Sequence, residues 1–349
     1  MVQVITIVKF EILLLVQNTD LIMLLSNNSK ASDVISKLSQ HFLRGSLKFS
    51  LNSEEINNLS PDVQEAFLRE TIYLKRVKEY PLNNDFCRIF FKKLISFLEQ
   101  NQEIHDEIYL FLCSEMEKTS EGNEFSYRHY VFKKTNNIVT IKETKNMVIH
   151  GTTGMKTWEA AFMLADWALC NKDVINHKRI LELGSGVGFT GVSIAMHCNI
   201  PSLILTDCHE EVLNMIKDNI RINFPELHEE EKEENITFKI DQHKSLGIRK
   251  LDWNCADSLS DDIAPDILIG ADIVYDPSII SALCNIILAF FRKNSKLEVY
   301  IASVIRNQKT FKIFLESLDE SGLIYEEILQ LQPVFIDWDS EIERKFLKI

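Results

Sequence analysis

From residue 149 onward the chain alternates short apolar runs with stretches of helical spacing, and few folds accept that rhythm. The apolar runs cover residues 180–183, 203–206, 267–270 and 299–302, and helical patterns occupy 187–197, 210–222, 278–291 and 308–318. Short runs that are apolar throughout, rather than alternating, belong to strands buried on both faces. Strand–helix–strand repeats join parallel neighbours by right-handed crossovers. The expectation is therefore an α/β domain with a mostly parallel sheet covered on both faces. Two further strands, over 323–330 and 343–349, are expected as an edge hairpin, and the acidic run 226–234 as a solvated loop.

What precedes this series reads differently. Ser60-Pro61 sets a cap residue before a proline at the first helical position. Apolar residues at helical spacing (Val63, Ala66, Phe67, Ile72, Tyr73) then predict one helix from 62 to 80, ending before Pro81. Helices are also expected over 86–99 and 104–116, and a hairpin over 127–133 and 138–142 around Asn136-Asn137. The organisation read from these patterns is an apolar extension over 1–30, a helical domain over 31–120 and a catalytic domain over 127–349. The apolar stretch Ile12-Leu13-Leu14-Leu15-Val16 is interrupted nearby by Lys9, Glu11 and Asp20. It falls short of the ~20 apolar residues a spanning helix needs, and Met23 is a candidate start for the native chain.

The first apolar run opens into RILELGSGVGFTG. In an open α/β sheet, ligands bind outside the carboxyl ends of the strands. Glycines there let the backbone turn sharply and approach a ligand, while the helix that follows offers free N–H groups. Gly184, Gly186 and Gly188 spell the G-x-G-x-G turn of an S-adenosylmethionine site, with Ser185 inside it. Gly186, Gly188 and Gly191 spell the G-x-G-x-x-G of a dinucleotide site. Asp207, after the second run, suits a carboxylate that accepts from both ribose hydroxyls in either case, and it could also simply cap the next helix. The turn and Asp207 point to an adenosine-type cofactor and leave methyl and hydride transfer both open.

Other strand ends narrow the choice. Leu251-Asp252-Trp253 brings an indole toward the cleft where it could wall an adenine ring. Small Ala271 allows close approach, Asp272 follows it, and Tyr275 lies three residues further on. Upstream, Gly151-Thr152-Thr153-Gly154-Met155-Lys156-Thr157-Trp158 leads a second indole into a helix. Duller roles exist for each: Trp158 and Trp253 as core aromatics, Tyr275 as a strand-end plug.

Taken in order, Trp158 after the G-T-T-G turn, LELGSGVG, TDCHEEVL, LDW and Asp272-x-x-Tyr275 resemble the seven-β-strand protein lysine methyltransferases of family 16. The phrases HGTTGMKTWEAA and LELGSGVGFTG are similar to those of the members that modify eukaryotic elongation factor 2. The resemblance is strong from about residue 127 to the end and weak over the N-terminal helices. It implies a seven-stranded Rossmann-like fold, with S-adenosyl-L-methionine held by Trp158, Gly184, Ser185, Gly186, Asp207, Trp253 and Ala271. It further implies that Asp272 and Tyr275 line the lysine entrance and that the partner is a protein, elongation factor 2. On this reading Asp272 captures and orients the incoming ammonium, and Tyr275 shapes and dries the channel. Alternatives are another translation or chaperone protein as substrate, or a non-catalytic module that retains the fold. An oxidoreductase rests only on the shifted glycine frame.

Charge and cysteine content bound the partners. A net charge of −13 argues against a non-specific nucleic-acid binder, which needs a basic stripe, and suits a basic protein segment. Seven scattered cysteines without a C-x-x-C pair fit a reducing, cytoplasmic setting. No metal is expected: His197-Cys198 and Cys208-His209 are adjacent pairs whose side chains should point apart.

Overall fold

The computed structural model describes residues 29–118, 124–145, 152–232, 235–259, 262–329, 331–339 and 341–349. The apolar run at residues 12–16, Met23 and Gly151 lie outside them. The chain divides into two compact units, Met1–Tyr130 and Val131–Ile349.

In the first unit, α1 (Ser29–Leu43) buries Val34, Ile35, Leu38 and Phe42 along one stripe. It is followed by α2 (Ser53–Asn57), whose start carries a full capping box between Asn52 and Glu55. The helix expected over 62–80 is two helices, α3 (Pro61–Arg69) and α4 (Lys75–Glu79). At the break the N–H groups of Thr71 and Tyr73 both donate to the Leu68 carbonyl, at 3.3 and 3.1 Å, which closes α3, and the buried Thr71 hydroxyl donates to the Phe67 carbonyl at 2.6 Å. Pro61 does begin α3, but the Ser60 side chain makes no capping bond. With α5 (Asn84–Leu98) and α6 (Asp106–Glu117), these helices enclose a cluster of Phe42, Phe67, Phe90 and Phe91. Edge-on contacts hold it, as between Phe42 and Phe90 at 5.1 Å between ring centres. Strands β1 (Phe125–Val131) and β2 (Ile138–Thr144) form the expected hairpin.

The second unit carries the α/β series. It runs α7 (Glu159–Cys170), α8 (Lys172–Ile175), β3 (Arg179–Leu183), α9 (Phe189–His197), β4 (Ser202–Asp207) and α10 (Glu210–Asn223). Then come β5 (His228–Lys232), β6 (Asn235–Lys239), β7 (Ser245–Lys250), a 3-10 turn (Trp253–Ser258) and β8 (Ile267–Ala271). The unit ends with α11 (Ile280–Lys293), β9 (Glu298–Val304), α12 (Gln308–Glu320), β10 (Glu326–Glu327) and β11 (Arg344–Lys348). The strands form one nine-stranded sheet in the order β10-β11-β9-β8-β3-β4-β7-β6-β5. From β9 to β7 all pairs are parallel, and β11 closes antiparallel on β9.

Seven of these strands, β10 to β7 in that order, make the sheet expected for a seven-stranded methyltransferase. The other two correct the reading of the acidic run. Rather than a solvated loop, 228–232 is strand β5, paired antiparallel with β6, which pairs with β7. Cations elsewhere stabilise it: Lys217 and Arg221 of α10 both bond Glu229, at 2.9 and 2.6 Å, and Lys239 bonds Glu230 at 2.5 Å. The tail strand expected over 323–330 is only the two residues of β10.

Alternation along the strands explains the two helical layers. Leu181, Leu183, Leu268, Val299, Ile301 and Leu347 face one side, where Leu283, Ile287, Phe290, Phe314 and Leu318 of α11 and α12 cover them. On the other side Tyr300 and Phe346 meet Trp167 of α7, at 4.4 and 5.0 Å between ring centres. Both layers leave the carboxyl ends of β3, β4 and β8 open at one edge.

Candidate active site

At that edge lies a cleft of about 390 Å³. The β3 strand runs into it through Leu183 and turns at Gly184, Gly186 and Gly188, whose φ angles of 57°, 52° and 81° fall in the left-handed region. Helix α9 therefore starts at Phe189, two residues later than its apolar pattern suggests. Space is as limiting as conformation. A Cβ on Gly186 would stand 2.9 Å from the Gly154 carbonyl oxygen, and one on Gly184 would meet Ile273 at 2.9 Å and the Trp253 ring at 3.4 Å. Gly191 is a helix residue with a different duty, since its Cβ would strike Leu205 at 2.7 Å on the sheet. The first glycine frame thus forms the turn, and the third glycine of the second frame belongs to helix packing.

Ser185 ties the turn to the neighbouring strand: its N–H donates to the Thr206 carbonyl at 2.8 Å, and its hydroxyl accepts from the Thr206 N–H at 3.0 Å. One residue beyond, Asp207 ends β4. Its Oδ1 accepts from the N–H groups of Cys208 and His209, at 2.8 and 3.1 Å. Its Oδ2 has no protein partner among the described residues, and the residue lines the cleft. The carboxylate thus braces the turn before α10 with one oxygen.

The two indoles are half-buried cleft residues, unlike Trp167 and Trp338, which are core residues. Trp158 precedes α7, and its Nε1–H donates to the Thr153 carbonyl at 3.0 Å. Trp253 opens the 3-10 turn, which Asp252 caps by accepting from Asn254. Ala271 closes β8. Tyr275 lies half exposed in the same cleft, and burial, with Asp207 and Cys208 nearby, pushes its phenol above the ordinary value.

Asp272 differs from the sequence expectation. It follows β8 with φ 55°, unusual outside glycine, and its side chain is only 4% exposed. Oδ1 accepts from the Val304 N–H at 2.9 Å and Arg306 Nη1 at 3.3 Å. Oδ2 accepts from the Ala160 N–H at 3.3 Å and Arg306 Nη2 at 3.1 Å. The guanidinium lies 4.8 Å from the centre of the Trp158 ring. A carboxylate read as the catcher of an ammonium thus already holds a cation of the protein's own.

Two charged cleft residues, Arg306 and Glu182, went unread in the sequence. Arg306 follows β9 by two residues, and the rule that strand ends carry the site would have found it had it been applied to the last parallel strand. Glu182, inside the apolar run of β3, accepts from the Gly191 N–H at 3.1 Å, and burial raises its carboxyl to about 8. At residues 207–209 the expectation of diverging neighbours also fails. The chain turns there, Cys208 Sγ and His209 Nδ1 come within 3.1 Å, and Asp207, Cys208 and His209 place O, S and N atoms within 4.8 Å of one another. The other pair is structural, with His197 packed 4.3 Å from the Phe132 ring and Cys198 buried.

Residues 133–321 match the family model described as lysine methyltransferase. This chain belongs to the lysine methyltransferase family. The human protein-lysine N-methyltransferase EEF2KMT is 29% identical over 315 residues, covering 87% of this chain and 90% of the relative. The mouse protein of the same name is 32% identical over 275 residues, covering 75% and 77%. The enzyme is a protein-lysine N-methyltransferase and its cofactor is S-adenosylmethionine. The site is compatible with that cofactor: Gly184 and Gly186 line the cleft with bare backbone where a Cβ would clash, and Asp207 Oδ2 has no protein partner among the described residues.

Proposed function

We propose that the enzyme methylates a lysine of eukaryotic elongation factor 2 in the cytoplasm. The observation that carries the substrate is the reach of the likeness to EEF2KMT. It extends over 87% of this chain, well beyond the 133–321 span common to the family model, and so takes in most of the helical unit as well. The acidic net charge of −13 suits a basic protein partner. No helix among the described residues is long and apolar enough to cross a membrane.

On this reading Gly184, Ser185 and Gly186 hold the cofactor's amino-acid end against bare backbone, and the free Oδ2 of Asp207 accepts from the ribose hydroxyls. Trp253 walls the adenine, Ala271 leaves room beside the turn, and Trp158 borders the methyl-bearing side. Bound there, S-adenosylmethionine would supply an activated methyl group with a neutral thioether as its leaving group. The chain's own work is to align the acceptor, to keep water out of the cleft with Tyr275 and Trp158, and to receive a neutral amine. Free lysine, with a pKa near ~10.4, arrives protonated.

The test is labelling with tritiated S-adenosylmethionine, on purified elongation factor 2 and on whole-cell extract, followed by mass spectrometry of the modified residue. Methyl-lysine in elongation factor 2 is expected. Label confined to a different protein would overturn the substrate.

A further inference from the structure

The acceptor must lose its proton before it can react, and the cleft decides how hard that is. An unpaired carboxylate beside the amine would favour the ammonium, whereas a cation would disfavour it. Asp272 cannot play the first part. An ionised carboxylate has about four lone-pair sites, and the two backbone N–H groups and two guanidinium nitrogens already occupy them. Its side chain is 4% exposed, against 44% for Arg306. Both residues line the cleft, and Arg306 is the more exposed of the two.

Arg306 is also firmly placed. The fork on Asp272 and the face of Trp158 fix it on two sides. The Asp272 carboxylate is in turn anchored to β9 through Val304 and to α7 through Ala160. Outside the cleft, Glu343 accepts from Gln308 at 2.6 Å. The other titratable groups that face the cleft are Glu182 on β3, Asp207, Cys208 and His209 after β4, and Asp252 before the 3-10 turn. Lys156 and Tyr275 complete the set.

We infer that Arg306, positioned by Asp272 and Trp158, is the charged group that meets the acceptor lysine and holds it in its uncharged, nucleophilic form. Asp272 is then a positioning residue, whose charge serves the arginine. The proton leaves to water, and the amine's lone pair is free for the methyl. This rests on the acceptor being a lysine.

The test compares wild type with Arg306→Gln and Arg306→Lys in the dependence of kcat/KM on pH, using tritiated S-adenosylmethionine with elongation factor 2, or with the extract protein that wild type labels. Removing the cation should move the acid limb upward by about one pH unit, which is about tenfold less activity on that limb. Lysine at 306 keeps the charge and should restore most of the wild-type limb. S-adenosylhomocysteine affinity, read in parallel, should stay near wild type in both variants, while Arg306→Gln should melt at a lower temperature because the buried Asp272 carboxylate loses its cation. A limb unmoved in Arg306→Gln overturns the inference. So does a fall in KM with the limb unmoved, which would mean that the acceptor displaces Arg306 from Asp272. If wild type labels no protein at any pH, the lysine methyltransferase reading itself fails, and the inference with it.

Discussion

The Gly154 carbonyl oxygen stands 2.9 Å from where a Cβ of residue 186 would sit. The turn before α7 and the turn after β3 are thus pressed together at the floor of the cleft, with residue 186 at φ 52°. To keep the turn, Gly186→Ala must push the two turns apart and also hold the left-handed conformation, which alone costs an L-residue about 1–2 kcal/mol. Calorimetric titration with S-adenosylhomocysteine should show binding weakened by about tenfold or more. Full affinity in the alanine variant would mean that the ligand does not use this floor.

Asp207 divides its two oxygens between the turn and the cleft. Asp207→Asn keeps an acceptor for the Cys208 and His209 N–H groups but removes the charge and one acceptor. A hydrogen bond to a charged group is worth about 1.5–3 kcal/mol, so the same titration should lose about tenfold to a hundredfold. A loss of melting temperature as large as the loss of affinity would instead assign Asp207 to the turn alone.

Glu182 ties stability to pH. Burial raises its carboxyl from 4.5 to about 8 in the folded state, so the folded chain binds more protons than the unfolded chain between those values. Its contribution is fully present below the unfolded value and is lost as pH rises through about 8. Thermal melts of wild type should fall from pH 5 to pH 9 more steeply than those of Glu182→Gln, which keeps an oxygen for the Gly191 N–H and never ionises. Parallel curves would show that the carboxyl is not held protonated.

Asp166, buried on α7, accepts from the N–H groups of Val334, Phe335 and Ile336, at 3.0, 2.6 and 3.1 Å. Asp166→Ala would strand three donors, a cost of about 3 kcal/mol or more. Denaturant unfolding should register it, and Asp166→Asn should recover part of the loss. Equal stability of the alanine variant would mean that water replaces the carboxylate there.

The parts of this molecule legible in its sequence are those fixed by local pattern. Continuous apolar runs, glycines at a strand end and Asp207 one strand later depend only on residues close in the chain. The unread parts depend on partners brought by topology. Arg306 acquires its role because β9 lies parallel beside β8, which sets Val304 and Arg306 against Asp272. The acidic run reads as a loop because its stabilising cations, Lys217 and Arg221, sit on a helix that precedes it. The helix over 62–80 divides where Thr71 and Tyr73 both turn back to the Leu68 carbonyl, a backbone choice that the unbroken apolar spacing does not register.

The placement of the indoles makes this enzyme report on itself. Of its four tryptophans, Trp167 and Trp338 are 6% and 7% exposed, while Trp158 and Trp253 are half-buried in the cleft. A soluble collisional quencher should therefore dim mainly the emission of the two cleft indoles. Saturation with S-adenosylhomocysteine should shield them, giving a direct optical readout of site occupancy without labels or substrate.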